Sequence, residues 1–165
     1  MIREGNMKLV ILAGGFGSRL GEETVSIPKP MIKIGEYPII WHIMKYYSNF
    51  GIKDFIICLG YKGYVIKEFF LNYKSHVNDV KVNTSSGIIK FNSAKSEDWN
   101  IDLVETGLNT MTGGRIRKIK KYIGNEDFCL TYGDGVSDIN IDKLIAFHKK
   151  NKKIATVSSV IPPGR

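Results

Sequence analysis

The segment KLVILAGGFGSRL, residues 8–20, joins an apolar run to a turn that contains three glycines. An unbroken apolar run of this length is typical of a strand that is buried on both faces, as in a parallel sheet. Three glycines within four positions allow backbone N–H groups to converge on an anion, because no Cβ atom stands in the way. The segment therefore predicts a buried strand that ends in an anion-binding turn.

Two common phosphate-binding motifs do not account for this turn. A dinucleotide fingerprint that used Gly15 and Gly17 would need a third glycine at position 20, which is Leu20, and a P-loop needs a Gly-Lys-Ser/Thr ending. Arg19 instead follows the glycines with a planar, permanently charged guanidinium that suits a phosphate chain. The alternative is an ordinary strand-to-helix turn with a surface arginine, and the turn taken alone favours that alternative.

The rest of the chain alternates between strand and helix patterns. Strands are predicted at residues 55–59, 101–105, 128–132 and 154–160, helices from Pro38 to Gly51, at 64–73, from 113 onward and at 141–151, and a hairpin at 80–92. This order predicts an α/β fold, Rossmann-like, with three α/β/α layers and a mainly parallel sheet. Ligands bind such sheets at the carboxyl ends of the strands. The glycine-rich segments after residues 13 and 132 are therefore expected in one cleft.

Three further segments could carry chemistry. Lys29 lies between two prolines, which are expected to hold it in a stiff, extended mount. Asp134 lies between two glycines after a predicted strand, where a carboxylate could reach Mg²⁺. Thr112 and Arg115 flank two glycines at a predicted helix start, where the helix N-terminus and Arg115 could face an anion. Each segment also has an ordinary interpretation, as a solvated lysine, an Asp-Gly turn and a helix cap respectively.

Composition narrows the class of partner. Lys and Arg number 24 against 16 Asp and Glu, a net charge of +8 that favours anionic ligands. The basic residues 115–121 alternate with isoleucines at helical spacing, so most of them are expected on a solvated helix face. No nucleic-acid-binding signature accompanies the charge, so a nucleic-acid-binding domain ranks last and small phosphorylated ligands are favoured. Without a long apolar run or signal peptide, we expect a cytoplasmic protein that binds no membrane, with Cys58 and Cys129 reduced.

In combination these segments resemble the sugar nucleotidyltransferases, also called nucleoside-diphosphate-sugar pyrophosphorylases. The resemblance rests on residues 12–20, the Pro-Lys-Pro-Met of residues 28–31 and the Gly-Asp-Gly of residues 133–135, in that order. Residues 21–24, 41–45, 60–68, 111–115 and 131–135 more narrowly resemble the cytidylyltransferases of that family. The resemblance implies the nucleotide-diphospho-sugar transferase fold. It also implies transfer of a cytidylyl group from CTP to α-D-glucose 1-phosphate, giving CDP-glucose for bacterial surface polysaccharides such as O-antigen.

The resemblance also implies a set of site residues. Arg19 and Lys29 would be catalytic, and Asp134 would ligate Mg²⁺. The residues that would bind the nucleotide or substrate, counting those two again, are Leu12, Ala13, Gly14, Gly15, Phe16, Gly17, Ser18, Arg19, Lys29, Thr110, Arg115 and Gly133. The alternatives are another nucleoside triphosphate or sugar phosphate at the same site, or a nucleotide-binding module without catalysis.

The domain organisation follows from the extent of this resemblance. Residues 1–6 are expected to form an N-terminal extension, and residues 7–165 the nucleotide-binding part of a nucleotidyltransferase domain that is incomplete at its C-terminus. Family members continue past the segment that matches residues 161–165. That further part carries most of the sugar-phosphate pocket and a second aspartate of the metal site. The family also implies a homo-oligomer for the full-length protein.

Overall fold

A computed structural model describes residues 7–16, 27–92 and 96–160. The chain divides into two compact units, Met1–Gly135 and Val136–Arg165. The first unit contains the strands and all helices but the last. Its first half runs through β1 (Lys8–Leu12), a 3-10 turn (Lys29–Met31), β2 (Lys33–Ile34), β3 (Tyr37–Pro38), α1 (Ile39–Ser48) and β4 (Asp54–Leu59). Its second half runs through α2 (Gly63–Leu71), α3 (Tyr73–Val77), β5 (Val80–Val82), β6 (Ile89–Phe91), β7 (Asn100–Glu105), α4 (Thr112–Lys118), α5 (Lys120–Ile123) and β8 (Phe128–Tyr132).

Four strands of the first unit form a sheet in the order β7-β4-β1-β8. Every pairing in it is parallel, and Leu12 at the end of β1 lies opposite Cys58 and Tyr132. The predicted α/β fold with a mainly parallel sheet is therefore confirmed. Because β1 lies between β4 and β8, the chain segments that follow these three strands emerge side by side at one edge.

The sheet is covered on both faces, which explains the unbroken apolar runs in β1 and β4. On one face, Val10, Leu12 and Ile56 pack with Ile119 and Ile123 from the α4–α5 region. On the other face, Tyr47 of α1 lies close to Cys129 and Thr131 of β8, and burial raises the pKa of its hydroxyl to about 12. Each fully buried Ile or Leu side chain contributes about 1.5–3 kcal/mol to this packing. The predicted three layers are thus present.

Several local predictions are confirmed. Helix α1 begins directly after Pro38, and Gly51 beyond its end has a positive φ of 84°. The hairpin between β5 and β6 is antiparallel, as the alternating pattern indicates. The predicted helix at residues 64–73 is divided at Asn72 into α2 and α3.

Two local predictions are wrong. Lys29 is not in an extended segment but begins a 3-10 turn, closed by a hydrogen bond from the Met31 amide to the Pro28 carbonyl at 2.8 Å. The φ of about −65° that proline imposes on residue 30 fits such a turn as well as extended backbone. Residues 154–160 form no strand. Their apolar side chains are exposed, and the described residues of the second unit contain no other strand with which they could pair.

The second unit contains one helix in its described part, α6 (Ile141–Asn151). The side chain of Asn140 caps it by accepting a hydrogen bond from the Lys143 amide at 2.9 Å. At its other end, His148 Nδ1 lies 2.8 Å from Thr156 Oγ1. Within the described part of the whole chain, no helix is both long enough and apolar enough to cross a membrane.

Candidate functional site

A cleft of about 730 Å³ lies at the carboxyl ends of β1 and β8, within the first unit. Its size falls in the range of small-molecule sites. The cleft is lined by all the described residues among the predicted site positions, namely Leu12, Ala13, Gly14, Gly15, Phe16, Lys29, Thr110, Arg115, Gly133 and Asp134. The other three predicted positions, Gly17, Ser18 and Arg19, lie outside the described residues. The expectation that the two glycine-rich segments share one cleft is confirmed.

Close packing against neighbouring side chains favours a glycine where β8 enters the cleft. A Cβ atom on Gly133 would lie 3.1 Å from Pro30 Cγ and 3.4 Å from both Ala13 Cβ and Ile11 Cγ2. The absence of that carbon lets the end of β8 lie against the 3-10 turn that carries Lys29. Gly15 is different, because a Cβ atom there would meet none of the described residues within 4 Å.

The charged pair Lys29 and Asp134 lies in this cleft. Lys29 Nζ is 3.9 Å from Asp134 Oδ2, at the outer limit of an ion pair, and the two side chains are 19% and 44% exposed. A pair this long and this accessible contributes under about 1 kcal/mol to stability. Both groups therefore remain able to contact a ligand.

Arg115 is placed in a different way. It is only 5% exposed, and its guanidinium donates hydrogen bonds to backbone carbonyls and to the hydroxyl of Thr106. Among the described residues, no carboxylate forms a salt bridge with it. Burial lowers the pKa of Arg115 from its ordinary value, but arginine remains a cation at neutral pH. The prediction that most of the basic residues 115–121 face solvent is confirmed, because Arg117, Lys118, Lys120 and Lys121 are exposed. Arg115 is the exception and points into the protein.

The second wall of the cleft is a loop that sequence reasoning mostly missed. After β7, the chain contributes Leu108, Asn109, Met111 and Thr112 to the lining, in addition to the predicted Thr110. Lys118 Nζ holds this loop by donating to the Thr106 carbonyl at 2.8 Å. The signal was present in the sequence, because residues 101–105 were predicted as a parallel strand and its carboxyl end must lie at the same edge. Pro30 and Tyr132, beside predicted residues, also line the cleft.

The residues present are compatible with a magnesium ion. Asp134 is the only carboxylate among the described residues that line the cleft. In the same described part of the chain, no three His, Cys, Asp or Glu residues form a cluster that could hold a metal by themselves. Mg²⁺ commonly binds proteins through one or two carboxylates and completes its coordination with substrate phosphates and water. A single carboxylate in an otherwise cationic cleft fits that mode.

Fold and site together define an α/β protein with a cleft at the carboxyl ends of parallel strands, lined by the cationic residues Lys29 and Arg115. This chain belongs to the nucleotidyl transferase family, whose sequence profile matches residues 8–165. The family resemblance predicted from the motifs is therefore confirmed.

Curated relatives are similar over almost the whole of this chain. The chain is 53% identical over 160 residues to the glucose-1-phosphate cytidylyltransferase of Salmonella typhimurium, covering 96% of this chain and 62% of the relative. It is 47% identical over 154 residues to a protein of Bacillus subtilis named probable glucose-1-phosphate cytidylyltransferase, covering 93% of this chain and 60% of that protein. The chain thus spans about three fifths of the length of these relatives.

Solved structures support the fold. HddC from Yersinia pseudotuberculosis, in complex with GMP-PN, is 27% identical and superposes with a TM-score of 0.62, covering 86% of this chain and 54% of that one. A UDP-glucose pyrophosphorylase in complex with UDP-glucose is 21% identical with a TM-score of 0.65, covering 90% and 55%. The predicted nucleotide-diphospho-sugar transferase fold is therefore confirmed.

Proposed function

We propose that this chain forms the nucleotide-binding part of an enzyme that transfers a cytidylyl group from CTP to α-D-glucose 1-phosphate, giving CDP-glucose and pyrophosphate. The observation that carries the proposal is the cleft in which the Gly14–Gly15 turn, Lys29 and Asp134 converge. The choice of CTP and of glucose 1-phosphate is supported by the names of the relatives that are 53% and 47% identical.

The reaction suits the groups that the cleft offers. An oxygen of the sugar phosphate forms a bond to the α-phosphorus of CTP, and the bond from that phosphorus to the β-phosphate oxygen breaks, so that pyrophosphate leaves with the electron pair. The nucleophile is already an anion, so no general base is needed and positioning and charge stabilisation supply the rate. Lys29 would offset the charge that grows at the α-phosphate. We assign the pyrophosphate to Arg19, which lies outside the described residues.

Asp134 is proposed to hold the magnesium ion that this chemistry implies. When bound, Mg²⁺ neutralises charge on the phosphate chain. Asp134 lies at the carboxyl end of β8, next to Gly133, so its carboxylate is presented to the cleft from a closely packed backbone. Its position 3.9 Å from Lys29 Nζ would bring the metal and the ammonium to the same phosphate chain.

A ligand panel followed by a turnover assay tests the proposal. Thermal melting would be measured with CTP, UTP, dTTP, GTP and ATP, each with Mg²⁺, because a ligand that binds the folded state raises the melting temperature by mass action. We expect the largest shift with CTP. Pyrophosphate release from CTP and glucose 1-phosphate by the complete gene product is then measured. A larger shift with another nucleotide would replace CTP, and binding without pyrophosphate release would identify a module without catalysis.

We extend the proposal to the oligomeric state, the location and the biological role of the enzyme. The family resemblance supports a homo-oligomer, a cytoplasmic location and a role in supplying sugar nucleotides for surface polysaccharides such as O-antigen. The charge of +8 and the cleft chemistry favour CTP and a sugar 1-phosphate as partners over nucleic acid. Light scattering during size-exclusion chromatography measures the assembly directly, and a monomer at micromolar concentration would contradict the oligomer.

A further inference from the structure

Arg115 has both terminal nitrogens of its guanidinium fully engaged within the protein. Nη1 donates to the Leu59 carbonyl at 2.9 Å and to Thr106 Oγ1 at 2.5 Å. Nη2 donates to the Gly14 carbonyl at 2.9 Å and to the Leu108 carbonyl at 3.3 Å. A guanidinium has two N–H groups on each terminal nitrogen, so these four bonds use all of them. No terminal N–H remains for a phosphate oxygen.

The four acceptors come from three neighbouring strands of the sheet. Gly14 follows β1, Leu59 ends β4, and Thr106 and Leu108 follow β7. Gly14, Leu108 and Arg115 all line the cleft, although Arg115 itself is buried. One buried side chain from α4 therefore ties the glycine turn on one side of the cleft to the loop on the other side.

Two glycines make room for this guanidinium. A Cβ atom on Gly14 would lie 2.1 Å from Arg115 Nη1, and one on Gly60 would lie 2.8 Å from Nη1 and 2.6 Å from the Gly14 carbonyl oxygen. Contacts this short are not tolerated, so neither position accepts a side chain without movement of the arginine or the turn. Arg115, held by its four hydrogen bonds, thus favours a glycine at position 14, whereas a Cβ atom on Gly15 would meet none of the described residues within 4 Å.

We propose that Arg115 is a positioning residue that fixes the nucleotide-binding turn against the loop after β7, and that it is not a phosphate ligand. This proposal deepens the proposed function and relies on it only for the identity of the ligand. The positive charge of Arg115 still favours an anion in the cleft, because carbonyl dipoles solvate the guanidinium without neutralising it. Lysine cannot replace it, since one ammonium cannot present four N–H groups in a planar fork.

Amide hydrogen exchange in the nucleotide-free protein tests the positioning role directly. The Tyr61 amide donates to the Gly14 carbonyl at 3.3 Å, and the Thr106 amide donates to the Leu59 carbonyl at 3.0 Å. Both carbonyls also accept hydrogen bonds from Arg115, so the exchange rates of these two amides measure how well Arg115 holds the two segments. In Arg115→Lys we expect both to exchange about tenfold faster, as loss of hydrogen bonds to a charged group implies. The matched control is Arg117→Lys, two residues away on the exposed side of α4, which should change neither.

Nucleotide affinity of the folded variants supplies a readout that a purely stabilising residue would not move. Below the melting transition, the dissociation constant of CTP should rise about tenfold in Arg115→Lys and stay constant in Arg117→Lys. In Arg115→Ala, millimolar guanidinium should restore affinity, because the four acceptors remain in place. Thr106→Val removes one acceptor and should give a smaller change in the same direction, while Thr106→Ser retains the hydroxyl and serves as its control.

The outcomes separate the alternatives. Faster exchange at both amides together with weaker CTP binding supports the positioning role. Weaker binding with unchanged exchange in the nucleotide-free protein would overturn it, because Arg115 would then act on the nucleotide directly. Should the unaltered protein bind no nucleotide, the proposed function fails, while the exchange comparison of Arg115→Lys with Arg117→Lys still decides whether Arg115 fixes the turn.

Discussion

Arg115 and Lys29 line the same cleft but are held in opposite ways. Arg115 is 5% exposed and donates four hydrogen bonds within the protein, whereas the Lys29 side chain is 19% exposed and its ion-pair partner among the described residues, Asp134, is 3.9 Å away. One cation is thus saturated by the fold and the other is available to a ligand. A cationic side chain in the proposed phosphate-binding cleft can therefore either stabilise the protein structure around the ligand or contact the ligand itself. The hydrogen-bond partners of the side chain distinguish these two roles.

The two residues also differ in the hydrogen-bond acceptors that the fold must provide for them. A buried guanidinium requires acceptors for its N–H groups, and loops at three strand ends of the sheet provide them. Lys29 retains part of its solvation and requires no such arrangement. Removing Arg115 should therefore disturb structure and binding together, whereas removing Lys29 should disturb chemistry alone.

The largest expected effect is on the Lys29 side. Replacing Lys29 with Gln removes the ammonium from the proposed α-phosphate site, and pyrophosphate release by the complete gene product should fall about a hundred- to a thousandfold, as for loss of other charge-stabilising donors. The melting temperature should stay within about 2 °C, because the ion pair that is lost is long and accessible. Steady-state kinetics and a thermal melt of the same preparation measure both quantities.

Lys33→Gln is the matched control for that variant. Lys33 is exposed on β2 and does not line the cleft, so its replacement should leave turnover and melting unchanged. Asp134→Asn should reproduce the loss of turnover seen with Lys29→Gln, again with the fold intact. Near-normal pyrophosphate release by Lys29→Gln would remove that residue from the chemistry and leave the cleft with no described catalytic cation.

On the Arg115 side, the prediction concerns stability. Gly14→Ala places a Cβ atom 2.1 Å from Arg115 Nη1, so the free energy of unfolding should fall by about 2–3 kcal/mol, the usual cost of an overpacked site. Gly15→Ala, one residue along the same turn, meets none of the described residues within 4 Å and should cost under about 0.5 kcal/mol. Urea denaturation of the two variants measures the difference. Equal losses would show that the turn, and not the arginine, excludes a side chain at Gly14.

Much of the fold could be predicted because its signals are local. Residues 9–13 and 55–59 are apolar without interruption, and that pattern favours burial on both sides wherever the strands lie. Residues 154–160 are rich in β-branched residues but have no described partner strand, and composition alone cannot supply one. The 3-10 turn at Lys29 was missed for a related reason, since the φ of proline is common to extended and turn backbone.

The location of the candidate site could be predicted from the sequence, but the separate roles of its charged residues could not. The rule that ligands bind at strand carboxyl ends brought residues 12–16 and Asp134 together correctly. It says nothing about which groups a side chain at that edge will contact, so Arg115 was predicted as a nucleotide contact and its engagement by the protein was not foreseen. Its partners are the carbonyls of Gly14, Leu59 and Leu108, which come together only after the strands have assembled.

The smallest expected effect concerns the pH dependence of stability at Cys58, whose pKa is influenced by the charge of Arg115. Burial raises the pKa of Cys58 from 9.0 to about 11, and Arg115 opposes this rise. Between pH 9 and 11 the unfolded chain therefore loses the thiol proton while the folded protein keeps it, so stability is full below pH 9 and falls as pH rises. From pH 8 to pH 10 this thiol should account for about 1 kcal/mol of lost unfolding free energy. Denaturation of Cys58→Ala over that range should show a loss smaller by that amount, whereas an unchanged slope would mean that the thiol ionises equally in the folded and unfolded states.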